Sequence, residues 1–421
     1  MKNPAHCLLK DNQSFNSPFP VFGFEDDPKK HSEISFYMML LCAAKNRGSG
    51  GANERRYSGL FFTQKQRNMS NRMAQIRDFD PNGVGLKNGH FIGLPFDEAS
   101  AQIVLFSVPW DVTVSFADGT ATGPQNILEC SSQLDLYDPD VPDAWKTGLF
   151  MVPPSAEWLA RNEAYRARAR AYIEFLENGG DVAASPAMQK ELAALNEACA
   201  ALRNYVFTET RKYLDAGKMV GVVGGEHSVP LGFLEALGAR HDDWGILQID
   251  AHMDLRAAYE GFTWSHASIF YNALKINSLS KLVQVGIRDY CDAEKAMADA
   301  SGGRISVFYD QDIKEDMWSG RSFASICEEV VRQLPAKVYV SFDIDGLDPA
   351  LCPHTGTPVP GGFSFEQALF LLKTLAKSGR QIIGFDLSET AGLGHDWDGN
   401  VGARILYKLS NWMAATNGLA G

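Results

Sequence analysis

The segment "WGILQIDAHMDLR" at residues 244–256 runs from an unbroken apolar stretch straight into Asp250, His252 and Asp254 at i, i+2, i+4 spacing. Apolar residues without alternation mark a strand buried on both faces, the kind found in a parallel sheet. In an extended chain side chains alternate with period two, so the three polar groups project to one side and Ala251 and Met253 to the other. Three potential metal ligands then converge at one strand end. Taken by itself, the segment also fits a solvated loop behind a buried strand.

Six further runs share its character: "IVLFSV" (103–108), "MVGVVG" (219–224), "KLVQVGI" (281–287), "RISVFY" (304–309), "KVYVSFDID" (337–345) and "QIIGFDL" (381–387). Helical segments separate them, which predicts an α/β fold with a mostly parallel central sheet covered on both faces. A long helical stretch, 155–216, broken at "ENGGDVAAS", lies between the first two runs. No repeat of solenoid length is visible, and 85–421 reads as one catalytic domain. Residues 1–80 contain "NQSFNSPFPVFGFEDDPKK" and "KNRGSGGANERR". They are expected to form an irregular, poorly ordered extension, with a targeting segment as one reading of it.

Composition narrows the class. Of 421 residues, 45% are hydrophobic and 21% charged, as in an ordinary globular protein, and the net charge of −12 disfavours a nucleic-acid groove. A small or cationic partner fits better. The seven cysteines, Cys7, Cys42, Cys130, Cys199, Cys291, Cys327 and Cys352, have no CxxC spacing, so neither a disulfide framework nor a zinc ribbon is indicated. A reducing, cytoplasmic location is expected, or an organelle if the extension is a transit segment. The longest apolar run, "ISFYMMLLCAA" at 34–44, falls short of the about 20 residues a membrane span needs.

Ligands of an open parallel sheet bind at the carboxyl ends of its strands. There "VVGGEHS" supplies His227, "LQIDAHMD" supplies Asp250, His252 and Asp254, and "VSFDIDGLDP" supplies Asp343 and Asp345. Four carboxylates and two imidazoles gathered at one edge repel unless cations lie between them. Two divalent ions remove that repulsion, and mixed carboxylate and imidazole donors suit Mn²⁺ or Ni²⁺. Ions about 3.5 to 4 Å apart can share a water and bring its pKa toward neutrality.

The motifs "GGEHS", "DAHMDLR" and "SFDIDGLDP", followed by "TGTPVPGG" (355–362) and "LSET" (387–390), resemble the ureohydrolases, the family of arginase and agmatinase. The resemblance runs from "VPWDVTVSFADGTATGP" at 108–124 to the C-terminus. It implies a three-layer αβα fold, a dinuclear site, usually manganese, and a homo-oligomer, trimer or hexamer. It assigns His227, Asp250, Asp254 and Asp343 to one ion, and Asp250, His252, Asp343 and Asp345 to the other. It gives His266 the role of proton shuttle and Glu389 the grip on a guanidinium; a satisfied loop histidine and an ion-pair carboxylate are the structural alternatives.

The substrate tail depends on the loops. "LRAAYEGFTWSH" offers Tyr259, Phe262 and Trp264, which with Trp110 are expected to cage a small guanidinium by its faces. The alternative is that these rings pack the loop. The chain looks most like an agmatinase-like subgroup, some of whose members hydrolyse free guanidine with nickel, so guanidine or a small guanidino compound leads and agmatine follows. His354 stands where Gly is commoner. Formimidoylglutamase is a third reading, with Arg256 and Arg288 as candidate carboxylate partners. A metal-binding but silent structural subunit is the non-enzymatic alternative, although no ligand is missing.

Overall fold

Apolar runs become interior strands here because helices cover the sheet on both sides. The computed structural model describes residues 53–419, with side chains from Gln66 onward, and Lys65–Gly421 forms one unit. In chain order its elements are α1 (Asn53–Asp78), β1 (Ile103–Val108), α2 (Gly123–Cys130), β2 (Leu149–Val152), α3 (Ala156–Glu177), α4 (Pro186–Asp215), β3 (Met219–Gly224), α5 (Leu231–Gly238) and β4 (Trp244–Ile249). Then follow α6 (Ile269–Ala273), β5 (Leu279–Ile287), α7 (Asp292–Asp299), β6 (Ile305–Tyr309), α8 (Asp310–Trp318), α9 (Phe323–Arg332), β7 (Lys337–Asp343), α10 (Phe365–Lys377), β8 (Gln381–Ser388) and α11 (Asp396–Thr416).

The strands form one sheet in the order β2-β1-β3-β8-β7-β4-β5-β6, parallel at every ladder. Alternate residues serve opposite cores: Leu247 and Ile249 of β4 join the side covered by α2, α8, α9, α10 and α11, and Trp244 and Ile246 join the side covered by α3 to α7. This is the expected αβα sandwich, with one strand more than the apolar runs indicate. β2 is only four residues long and lies at the sheet edge, so it lacks the long apolar signal.

The extension differs from expectation where it can be described. Residues 1–52, including the apolar run at 34–44, lie outside the described residues, but Asn53–Asp78 is helical. Its periodicity is hard to see because Met69 and Met73 stay exposed while Ile76, and Phe79 just beyond the helix, pack on the core. Among the described residues no helix is long and apolar enough to cross a membrane.

Trp110, expected over the mouth of the site, is instead a core residue with no exposed surface. Its indole meets Trp158 edge-on at 5.9 Å and Tyr165 at 6.2 Å, both on α3. The loop turns inward because the Trp110 carbonyl accepts from the Glu226 amide at 2.8 Å and the Val108 carbonyl accepts from the Gly225 amide at 3.1 Å. A Cβ at Gly225 would lie 2.0 Å from the Trp110 oxygen, so the second glycine of "VVGGEHS" permits this approach of two strand-end loops. Trp110→Ala should therefore cost about 3–5 kcal/mol of stability, read by urea denaturation; a loss below about 1 kcal/mol, the range for surface positions, would contradict this placement.

Candidate metal centre and substrate cavity

Strands β3, β7 and β4, three of the four central strands, bring the predicted donors to one point. His227 Nδ1 lies 3.0 Å from Asp250 Oδ2, 3.1 Å from Asp254 Oδ2 and 3.2 Å from Asp343 Oδ2. Beside it, His252 Nδ1 lies 3.1 Å from Asp345 Oδ2 and 3.6 Å from Asp250 Oδ1. Among the described residues, two groups have metal-ligand geometry, His227/Asp250/Asp343 and Asp250/His252/Asp345. Asp250 belongs to both, one carboxylate oxygen toward each.

The i, i+2 spacing works through turns more than through strand alternation. Asp250 Oδ1 accepts from the His252 amide at 2.6 Å, and Asp343 Oδ1 accepts from the Asp345 amide at 2.9 Å. Each aspartate thus caps the amide two residues on, a turn that Asp forms readily. Asp254 then takes φ 54°, a conformation uncommon outside glycine, and reaches the first group while His252 reaches the second.

The donor chemistry fits cations. Among the described residues, the ion-pair partners of Asp250, Asp254, Asp343 and Asp345 are His227 and His252. Burial, and next the charge of Asp250, pushes the Asp254 carboxyl up to about 7; burial, and next Asp345, pushes Asp343 well above the usual carboxylate range. His227 Nδ1, fully buried among three carboxylates, makes no hydrogen bond. Its Nε2 lies 2.9 Å from Ser341 Oγ, whose hydroxyl donates to Asp386 Oδ2 at 2.7 Å. That chain takes up the ring proton at Nε2 and leaves the Nδ1 lone pair free for a metal, a common way of orienting a histidine ligand.

A cavity of about 150 Å³ opens above these groups, lined by His252, Asp254, Arg256, Tyr259, His266, Asp289, Tyr290, Glu294 and Thr357 among others. Burial first, then the positive charge of neighbouring imidazoles, pushes His266 down to about 3, so it is neutral at neutral pH. Glu389 has φ 61°; its Oε1 accepts from the His227 amide at 2.9 Å and its Oε2 has no partner. A Cβ at Gly356, next to cavity-lining Thr357, would come within 3.0 Å of Oε2.

The aromatic cage does not assemble. Trp264 packs on the core with the Arg203 guanidinium 4.3 Å over its ring, and Phe262 is buried against Tyr172. Of the four expected rings only Tyr259 lines the cavity. Arg288 is spent on the backbone carbonyls of Asp345, Leu347 and Val359. His354 is half exposed and pairs with buried Asp398 at 3.0 Å, away from the ligands. The sequence reading did not identify Ser341, Asp386 and Gln248, which support the ligands; Gln248 donates to Asp250 Oδ2 at 2.8 Å. Their signal was a polar residue inside an apolar strand, since buried polar groups need partners.

Fold and site together define a parallel-sheet α/β protein with donors for two metal ions. A family model described as the arginase family matches residues 101–409, and the chain belongs to that family of metal-dependent amidino hydrolases. It is 29% identical to the N(1)-aminopropylagmatine ureohydrolase of Thermus thermophilus, covering 74% of this chain and 90% of that protein. To the agmatinase of Bacillus subtilis it is 30% identical, covering 69% and 84%. Among solved structures, the agmatine ureohydrolase of Thermoplasma volcanium shares the fold with a TM-score of 0.58 at 21% identity, over 82% of this chain and 99% of that one.

The two-sided placement of Asp250 gives a measurable outcome. Asp250→Asn should lose both metal ions, and Asp345→Asn chiefly one. Elemental analysis of the purified variants checks this, and full metal content in Asp250→Asn would refute the shared role.

Proposed function

We propose that the chain hydrolyses a small guanidino compound of the agmatine class, with a guanidinium at one end and an amine at the other, to urea and the diamine. The observation that carries this reading is Asp289. It lies at the cavity rim with a side chain 68% exposed, and its ion-pair neighbour among the described residues is His252 Nε2 at 3.9 Å. The rim's cation is already engaged: Arg256 lies 3.7 Å from buried Glu294 and stacks on Tyr259 at 4.8 Å. An amine tail therefore finds a carboxylate, while the α-carboxylate of arginine or the acid group of formiminoglutamate finds no free guanidinium. Free guanidine, the leading expectation from sequence, relied on four aromatic faces, of which Trp110, Phe262 and Trp264 do not line the cavity.

His227, Asp250, His252, Asp254, Asp343 and Asp345 would hold two divalent ions, with Mn²⁺ expected and Ni²⁺ the alternative. When bound, such ions supply the Lewis acidity that makes water a nucleophile near neutral pH. Glu389 offers its unpartnered oxygen to the guanidinium N–H groups. His266, neutral at rest, would hold the leaving nitrogen by a hydrogen bond from its ring N–H, and the proton that nitrogen takes up as the C–N bond breaks comes from the attacking water.

Urea release from agmatine, guanidine, arginine and 4-guanidinobutyrate, with Mn²⁺ and with Ni²⁺, tests the reading. Agmatine should have the highest kcat/KM. Asp289→Asn should raise KM for agmatine roughly two- to five-fold, the range of an exposed charge pair, and leave guanidine unchanged. Guanidine turned over faster than agmatine under either metal would reverse the assignment.

A further inference from the structure

His266 is held by Thr113, a buried residue that does not line the cavity. The His266 amide donates to Thr113 Oγ1 at 3.1 Å, and the same oxygen lies 3.2 Å from His266 Nδ1. The hydroxyl oxygen accepts from the amide and its own hydrogen can point at Nδ1, an arrangement in which Nδ1 is the acceptor and the ring proton sits on Nε2. The second hydroxyl near Nδ1, Ser265 Oγ at 3.4 Å, itself accepts from the Ala267 amide. Thr113 has no exposed surface, so water cannot readily take its place.

Thr113 is gripped from two sides. Its amide donates to Glu226 Oε2 at 2.7 Å. The carbonyls flanking it, of Val112 and Val114, both accept from Arg166 Nη1, at 3.2 and 2.7 Å. Two residues back, the Asp111 amide donates to Asn162 Oδ1 at 2.7 Å and Asn162 Nδ2 returns a bond to Asp111 Oδ1 at 2.8 Å. Asn162 and Arg166 are one turn apart on α3, and both are buried. A buried guanidinium is costly unless its donors are used, and here they are used largely on one loop. α3 thus reaches the loop that carries Thr113 through Asn162 and Arg166.

We propose that Thr113 is a positioning residue that fixes His266 with Nδ1 turned into the protein and Nε2–H toward the cavity, and that α3 secures Thr113 through Asn162 and Arg166. The proposal rests on the hydrogen-bond donor role given to His266 above. Thr113→Val keeps the shape and removes the hydroxyl; Thr113→Ser keeps the hydroxyl. In the full-length, metal-loaded enzyme Thr113→Val should lower kcat about ten- to a hundred-fold, the range for loss of a supporting hydrogen bond at a site. KM and metal content should hold, and Thr113→Ser should restore most of the rate. Arg166→Met should follow Thr113→Val in direction.

A second readout is independent of turnover. The ¹⁵N ring shifts of His266, assigned by the resonances lost in His266→Gln, should report a neutral Nε2–H ring in the unaltered protein and a shift toward the other tautomer in Thr113→Val. An Nδ1–H ring in the unaltered protein overturns the proposal even if Thr113→Val cannot be folded. Equal kcat for Thr113→Val and the unaltered enzyme overturns it as well. Failure of every guanidino compound to give urea would instead end the functional reading, and the tautomer measurement would still decide this one.

Discussion

Four carboxylates removed from water beside two imidazoles cannot all ionise without added positive charge, and the centre of this molecule is organised around that constraint. Burial pushes Asp254 and Asp343 upward, while Asp250, equally buried, is drawn below the usual range by His227 and His252. Such a cluster is unstable as an isolated protein interior and becomes favourable with divalent ions. A parallel sheet suits it, because all strands end on the same side and the ends of β3, β4 and β7 can each contribute donors. Helical crossovers are what make the parallel arrangement possible, so the αβα layering and the metal chemistry share one cause.

The same constraint explains where the backbone departs from easy geometry. Asp254 and Glu389 both adopt positive φ, and Gly225 admits the backbone of Trp110 at a distance no Cβ allows. Each departure follows a strand end and turns a side chain toward the shared point. Strain of this kind persists only where surrounding contacts fix it. Here the Gln248, Ser341 and Asp386 network fixes the ligands from below, and the loop after β1 fixes the cavity from the side.

Sequence carried the sheet and the ligand set because both leave local signatures: near-continuous apolar runs, and Asp or His at strand ends two residues apart. The six candidate residues lie close together, brought there by turns at Asp250 and Asp343, and Asp343, expected to serve both ions, belongs to the His227 group alone. The walls were less legible. Whether an aromatic such as Trp110 or Trp264 faces a cavity depends on which helix covers it, and that is a long-range property. Trp110 is covered by α3, and Trp264 carries Arg203 from α4. β2 and α1 were missed for the opposite reason, one too short and the other too polar to show a period.

Under the proposed function, charge also bears on the substrate tail. Two divalent ions would offset Asp250, Asp254, Asp343 and Asp345, and Arg256 lies 3.7 Å from Glu294. Asp289 lines the cavity with His266, Thr357 and Tyr290. Glu389 is buried beside Gly356, the neighbour of cavity-lining Thr357, and neither carboxylate has a lysine or arginine partner among the described residues. Under the proposed function a monocation would fill only one of these positions, an α-amino acid would bring a carboxylate to an Arg256 already beside Glu294, and a guanidinium joined to an amine would pair with both. In that reading the inner carboxylate, buried, would serve any guanidino substrate, whereas the outer one, 68% exposed and screened, would contribute little affinity and act mainly to separate one tail from another.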